Sequence, residues 1–190
     1  MNILVSPFDG GSFYFRSDST LIRLLTDFYI PDYVESISAV PVICFRSERS
    51  GKAVQEKFAA RYLGPFSCGL VLKAGLRDGM VYEDDRLFVC NALDYSTVIP
   101  YDLIPVDRLN GHISESRPFE IKINGITKSS VISCPSMDEL CRRFSSISRY
   151  CSVRTGDMIA FELGKAIPAG HDEHLTAHFG AGGTISIVIH

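Results

Sequence analysis

The sequence predicts a strand-rich α+β fold. Three observations carry that reading. Short apolar or alternating runs recur at 2–6, 12–16, 37–45, 66–73, 119–123 and 184–189. An Asn124-Gly125 pair follows the run at 119–123, and this dipeptide is the strongest local signal for a type I′ hairpin turn. Helical spacing appears in only two segments, 52–62 and 137–149.

Taken in order, residues 2–6 and 12–16 read as short strands. Residues 20–28 are ambiguous, with spacing that suits one helical turn or two. Residues 37–45 read as a strand interrupted by Pro41, and a proline that cannot donate to a ladder belongs at an edge or a bulge. In 52–62, Val54, Phe58 and Tyr62 stand at i, i+4 and i+8 on one helix face, and Gly64-Pro65 stops the pattern. A strand is expected over 66–73. Asp78-Gly79 and Asp84-Asp85 then mark turns around a short hairpin, with 87–90 as its returning strand.

The segment 119–123 alternates Phe, Glu, Ile, Lys, Ile into the Asn-Gly turn. The best helix is 137–149. Ser136 is its N-cap and Glu139 completes a capping box, while Met137, Leu140, Cys141, Phe144 and Ile147 form the apolar stripe. Residues 119–163 are expected to pack as one unit of hairpin, helix and return strand. The strand at 184–189 closes the chain.

Composition bounds the function. At 190 residues the chain has the length of one domain, taken as 1–190, and can bury about 70% of its unfolded surface. The net charge is -3 with acids and bases interspersed, so no basic face points to nucleic acid. No apolar run reaches the roughly 20 residues of a membrane span, and the N-terminus has neither the basic start nor the apolar core of a signal peptide. None of the six cysteines forms a C-x-x-C pair. Several lie in apolar runs, which fits buried thiols in a reducing cytoplasm.

A larger pattern emerges from the order of the pieces. Phe13-Tyr14-Phe15-Arg16-Ser17-Asp18-Ser19 resembles an aromatic strand leading to a Lys-Pro-x-Ser turn, with Arg16 where lysine is usual. Arg61-Tyr62-Leu63-Gly64-Pro65-Phe66 is similar to a helix end and strand entry. Asn91-Ala92-Leu93-Asp94-Tyr95-Ser96 is similar to a Lys-x-Phe-Asp-Gly-Ser segment. Asp102 to Leu109 fits the loop that follows, and 119–163 matches hairpin, helix and Thr155-Gly156-Asp157 in register. In this order the pieces resemble the C-terminal half of the fumarylacetoacetate hydrolase family. The resemblance covers most of the chain, and it implies a mixed β-sandwich or β-roll, two main helices and a homodimer paired through the β-rich core.

The resemblance also implies a metal-dependent enzyme acting on acylpyruvate-like diketo acids. In such enzymes two glutamates, two residues apart on one strand, and a later aspartate hold Mg or Mn through oxygen ligands. Those positions fall here on Val40, Val42 and Val71, whose side chains cannot coordinate a metal. The active-site lysine falls on Asn91, and the Thr-Gly-Thr-Pro substrate loop falls on Phe161-Glu162-Leu163-Gly164. The usual N-terminal Arg-Asn-Tyr stretch has no counterpart before Phe13. The expectation is therefore a family fold without cofactor and without catalytic residues, with Arg16, Lys73, Asn91 and Asp94 left near the cleft. A cationic side chain there could hold a small carboxylate. Two alternatives stay open: an active hydrolase, isomerase or decarboxylase with a rebuilt site, and a non-catalytic subunit of a heteromer.

Other constellations carry less. His171, His174 and His178 could bind zinc or nickel if helical, but Pro168, Gly170 and Gly180 flank them, and on a strand only His174 and His178 share a face. They read as a solvated polar segment. Gly180-Ala181-Gly182-Gly183 reads as a turn before the last strand, because no helix with a basic residue follows it. Glu83-Asp84-Asp85 reads as a solvated acidic turn.

Overall fold

The computed structural model describes residues 1–10 and 13–190; Ser12, at the start of the strand expected over 12–16, lies outside the described residues. Elements follow in chain order. Strands β1 (Ile3–Ser6), β2 (Tyr14–Arg16), β3 (Leu21–Ile22), β4 (Asp27–Phe28) and β5 (Val34–Ser47) precede a single helical turn, α1 (Glu56–Ala59). Strand β6 (Leu63–Leu76), helix α2 (Arg86–Asn91), β7 (Thr97–Val98), β8 (Phe119–Ile123) and β9 (Ile126–Val131) follow. Helix α3 (Met137–Tyr150), β10 (Met158–Glu162), β11 (Ile167–Ala169), β12 (Glu173–Phe179) and β13 (Thr184–Ile189) complete the chain.

Two sheets form. The larger runs β2-β1-β10-β5-β6-β7-β3, with β11 also pairing β5, and the smaller runs β4-β13-β12-β8-β9. The principal apolar core draws residues from both, among them Phe45, Phe66 and Phe161 from the first and Phe119, Ile121 and Ile187 from the second. This is the strand-rich α+β arrangement expected. None of the described helices is long and apolar enough to cross a membrane. All six cysteines are free thiols; Cys44, Cys68 and Cys141 are buried.

Local rules explain the elements that match expectation. Asn124 and Gly125 both have positive φ, 50° and 79°, as a type I′ turn requires. The Ser136 hydroxyl accepts from the Glu139 amide at 3.2 Å, giving α3 its N-cap. The reciprocal half of the capping box is absent: the Glu139 carboxylate faces Arg143 at 3.7 Å instead. Gly156 takes φ 89° at the turn into β10, and Asp157 accepts from the amides of Asn2 and Arg154, both at 2.8 Å, which ties that turn to β1.

Four expectations are corrected. Pro41 sits inside β5, not at an edge or a bulge. Its carbonyl accepts from Leu163 between the β10 pairing, which ends at Val42, and the β11 pairing, which begins at Ala39. The ladder changes partners there, so a missing N–H costs nothing. The helix expected over 52–62 is only the turn 56–59, because Ala53 has φ 52° and Ser148 on α3 takes the amides of Ala53 and Val54. The returning strand expected at 87–90 is helix α2. Arg86 fixes it, donating to the Leu76 carbonyl at 3.1 Å and facing Asp78 and Glu83. Finally, 119–163 is not one packed unit. Strands β8 and β9 belong to the smaller sheet, β10 belongs to the larger, and α3 packs on α1 and β1.

Candidate functional site

One face of the larger sheet carries Val40, Val42 and Val71, the positions on which the resemblance places the metal ligands. Val40 pairs directly with Val71, and Val42 pairs with Gly69 on one side and Glu162 on the other. Directly paired and alternate strand residues share a face. Val40, Val42 and Val71 are therefore neighbours on one surface, and all three are fully buried. Val42 and Val71 join Ile3, Val5, Cys44, Ile99, Met158 and Ala160 in a second, smaller apolar cluster. Burial in it pushes the Cys44 thiol up to about 12, so the thiol stays protonated and packs as a small hydrophobe.

Polar side chains rim this apolar floor. Glu162, 3% exposed, is the last residue of β10. Its carboxylate pairs with Lys73 Nζ at 2.6 Å, accepts from the Tyr14 hydroxyl at 2.7 Å and accepts from the Phe8 amide at 3.1 Å. Burial, followed by the adjacent Glu162 charge, raises the Tyr14 phenol well above its ordinary range, so the hydroxyl stays a neutral donor. Arg16, next to Tyr14 but one along the same strand face, is 2% exposed. Its Nε donates to Thr97 Oγ1 at 2.8 Å, and its Nη2 donates to the Leu72 carbonyl at 3.4 Å and to the Ser96 hydroxyl. Among the described residues its Nη1 has no hydrogen-bond partner. Desolvation is the main influence on this guanidinium and lowers its pKa.

Arg16, Lys73 and Asn91 line one cavity of about 420 Å³ with Phe13, Tyr14, Ala74, Leu87 and Cys90. That volume lies within the range of small-molecule sites. Three of the four ligand-binding candidates thus come together. The fourth does not: Asp94 lines a separate groove with Asp27, Tyr29, Tyr33 and Tyr95. The histidines do not converge either. His174 and His178 stand on the exposed side of β12 and bond to Ser186 and Thr184 on the neighbouring strand, while His171 precedes β12. Glu162 and Tyr14 were not picked out as site residues from the sequence. The available signal was a lone acid ending the apolar run Met158-Ile159-Ala160-Phe161.

The donor set does not fit a divalent ion of the kind the resemblance implies. Mg and Mn take several oxygen ligands. Among the described residues, Glu162 is the one carboxylate on the surface around the valines, and it is engaged by a lysine, a phenol and an amide. Among the described residues no three His, Cys, Asp or Glu side chains are grouped to hold a metal.

No protein-family model matches the sequence, and no curated protein matches it significantly. Solved structures do match in fold. A fumarylpyruvate hydrolase from Pseudomonas aeruginosa, in complex with Mn2+ and pyruvate, superposes with TM-score 0.76 at 11% identity, covering 100% of this chain and 89% of that one. A 2-hydroxyhepta-2,4-diene-1,7-dioate isomerase from Mycobacterium marinum gives 0.77 at 12% identity, covering 99% and 73%. A proposed fumarylacetoacetate hydrolase family protein from Yersinia pestis CO92 gives 0.74 at 16% identity, covering 100% and 92%. The chain has the fold that these hydrolases and isomerases of the fumarylacetoacetate hydrolase type share.

Proposed function

We infer that this chain is a non-catalytic binding protein on a hydrolase-type fold, and that its ligand is a small carboxylate held in the cavity lined by Arg16, Lys73 and Asn91. The observation that carries the reading is Arg16: a guanidinium lining a cavity, nearly fully buried, with Nη1 unmatched. A buried charge with an unfilled donor is costly, and an anionic ligand offsets that cost. The pyruvate bound to the Pseudomonas neighbour supports a small carboxylate on this fold. The valines at 40, 42 and 71 support the loss of metal-dependent chemistry, since an apolar shell replaces the charge a divalent ion would need.

A second reading has its own observation. Glu162, Tyr14 and Lys73 meet within hydrogen-bond distance, and titratable groups converging at a cavity are the raw material of acid–base catalysis. One experiment separates the two: assay an acylpyruvate with added Mg or Mn, and again with EDTA, alongside metal analysis of the purified protein. Binding without turnover supports the first reading. Turnover that persists in EDTA supports a rebuilt metal-free site. Turnover that EDTA abolishes overturns both. We further propose a cytoplasmic homodimer, the commonest closed assembly; light scattering should give twice the monomer mass, and a monomer mass at micromolar concentration would refute it.

A further inference from the structure

We propose that the Arg16–Lys73 cavity selects monocarboxylates with an apolar body over dicarboxylates. This rests on the carboxylate-binding reading above and adds the charge and shape of the ligand. The argument is a count of charges. Two cations line the cavity, Arg16 and Lys73, and none of its lining residues is acidic. The Lys73 charge is already matched by Glu162 at 2.6 Å. Arg16 bonds only to neutral acceptors: the hydroxyls of Thr97 and Ser96 and the carbonyl of Leu72. Tyr14 stays a neutral phenol. Outside the lining, Arg143 faces Glu139 at 3.7 Å and Arg86 faces Asp78 and Glu83, so neither adds free charge to the cavity. One positive charge is left unmatched, and it calls for one negative charge.

The walls decide the rest of the ligand. Phe13, Ala74, Leu87 and Cys90 present carbon and sulfur, and Asn91 adds a neutral amide. A carboxylate drawn to Arg16 would leave its remaining atoms against these apolar walls. A second carboxylate on the same molecule would be desolvated there without a cation, or would approach Glu162 and be repelled. An aromatic or alkyl body loses nothing in the same place and gains by leaving water.

Isothermal titration calorimetry tests this with phenylacetate and hexanoate against succinate and glutarate. The monocarboxylates should bind at least about tenfold more tightly. Glu162→Gln removes the charge that matches Lys73, leaves two cations unmatched, and should move the ratio towards dicarboxylates by about tenfold or more. Asn91→Asp is the second variant, at the half-exposed C-terminal end of α2 on the cavity lining. It cancels the Arg16 charge and should weaken monocarboxylates by a similar factor. Equal or reversed preference in the unaltered protein, or a ratio that neither variant moves, overturns the selectivity while leaving carboxylate binding in place. Failure of all four probes to bind overturns the carboxylate reading itself, and this inference with it.

Discussion

At the scale of single residues, the contact between Lys73 and Glu162 is asymmetric. The Glu162 side chain is 3% exposed and the Lys73 side chain 37%. Removing the lysine strands a carboxylate away from water, with only Tyr14 and the Phe8 amide to hold it. Removing the carboxylate's charge strands no buried charge, because Lys73 stays hydrated where it lines the cavity. Lys73→Met should therefore cost about 3 kcal/mol in urea unfolding, and Glu162→Gln only about 1 kcal/mol. Equal costs would show that the pair is not desolvated as its geometry implies. His112 offers a second residue-scale test. It is 5% exposed, packs edge-on against Phe66 and, among the described residues, has no partner for Nε2. Burial lowers its pKa from the ordinary 6.5, with the nearby Arg117 adding to the effect. The folded state thus resists the proton that the unfolded chain accepts. Its contribution is intact above 6.5 and is lost as pH falls below 6.5 and through the folded pKa. The melting temperature should drop between about pH 7.5 and about pH 5.5, and His112→Leu should reduce that drop; an unchanged drop would remove His112 from the account. The grouping of Val40, Val42 and Val71 on one buried sheet face was legible at this scale, because resemblance gives register. Glu162 and Tyr14 were not, because their meeting spans 148 residues of chain.

Elements were legible where the determinants are local. The Asn124-Gly125 turn and the Ser136 cap each act within a few residues, and both stand in the structure where the sequence put them. Segments decided by distant partners were misread. Leu87-Phe88-Val89-Cys90 has the composition of a strand, and short apolar runs do not separate strand from helix by pattern alone. Arg86 and its bonds to Leu76, Asp78 and Glu83 decide for helix. The helix face read at 54, 58 and 62 was likewise overridden, because Ser148 claims the backbone that would have started it. Gly69 shows a distant constraint that can be measured. It lies opposite Val42 on β5 and against the β7 backbone, where an added Cβ would collide with the Val98 carbonyl oxygen and the Ile99 side chain. The obstacle is backbone, which cannot swing aside. Gly69→Ala should therefore destabilise the protein by about 1–3 kcal/mol in chemical denaturation. A neutral outcome would mean that β7 is free to move away from β6.

For the whole molecule, the two-sheet assembly depends on pairings no local pattern reveals. β1 and β10 run parallel although Asn2 and Asp157, which meet at their entries, stand 155 positions apart in the chain, and β5 exchanges β10 for β11 along its length. The order of motifs, compared with a known family, supplied the fold class where periodicity could not, and it did not supply these pairings. The result is a sheet face whose centre is apolar and whose rim holds two cations and one matched carboxylate. On the proposed reading, such a surface holds an anion and does not activate one through a metal ion. The most direct test of that claim is calorimetric titration of the purified protein with pyruvate in the presence of EDTA. The account predicts saturable one-site binding that EDTA does not change and that Asn91→Asp weakens by about tenfold or more. Binding that appears only when Mg or Mn is added, or no binding at all, would contradict it.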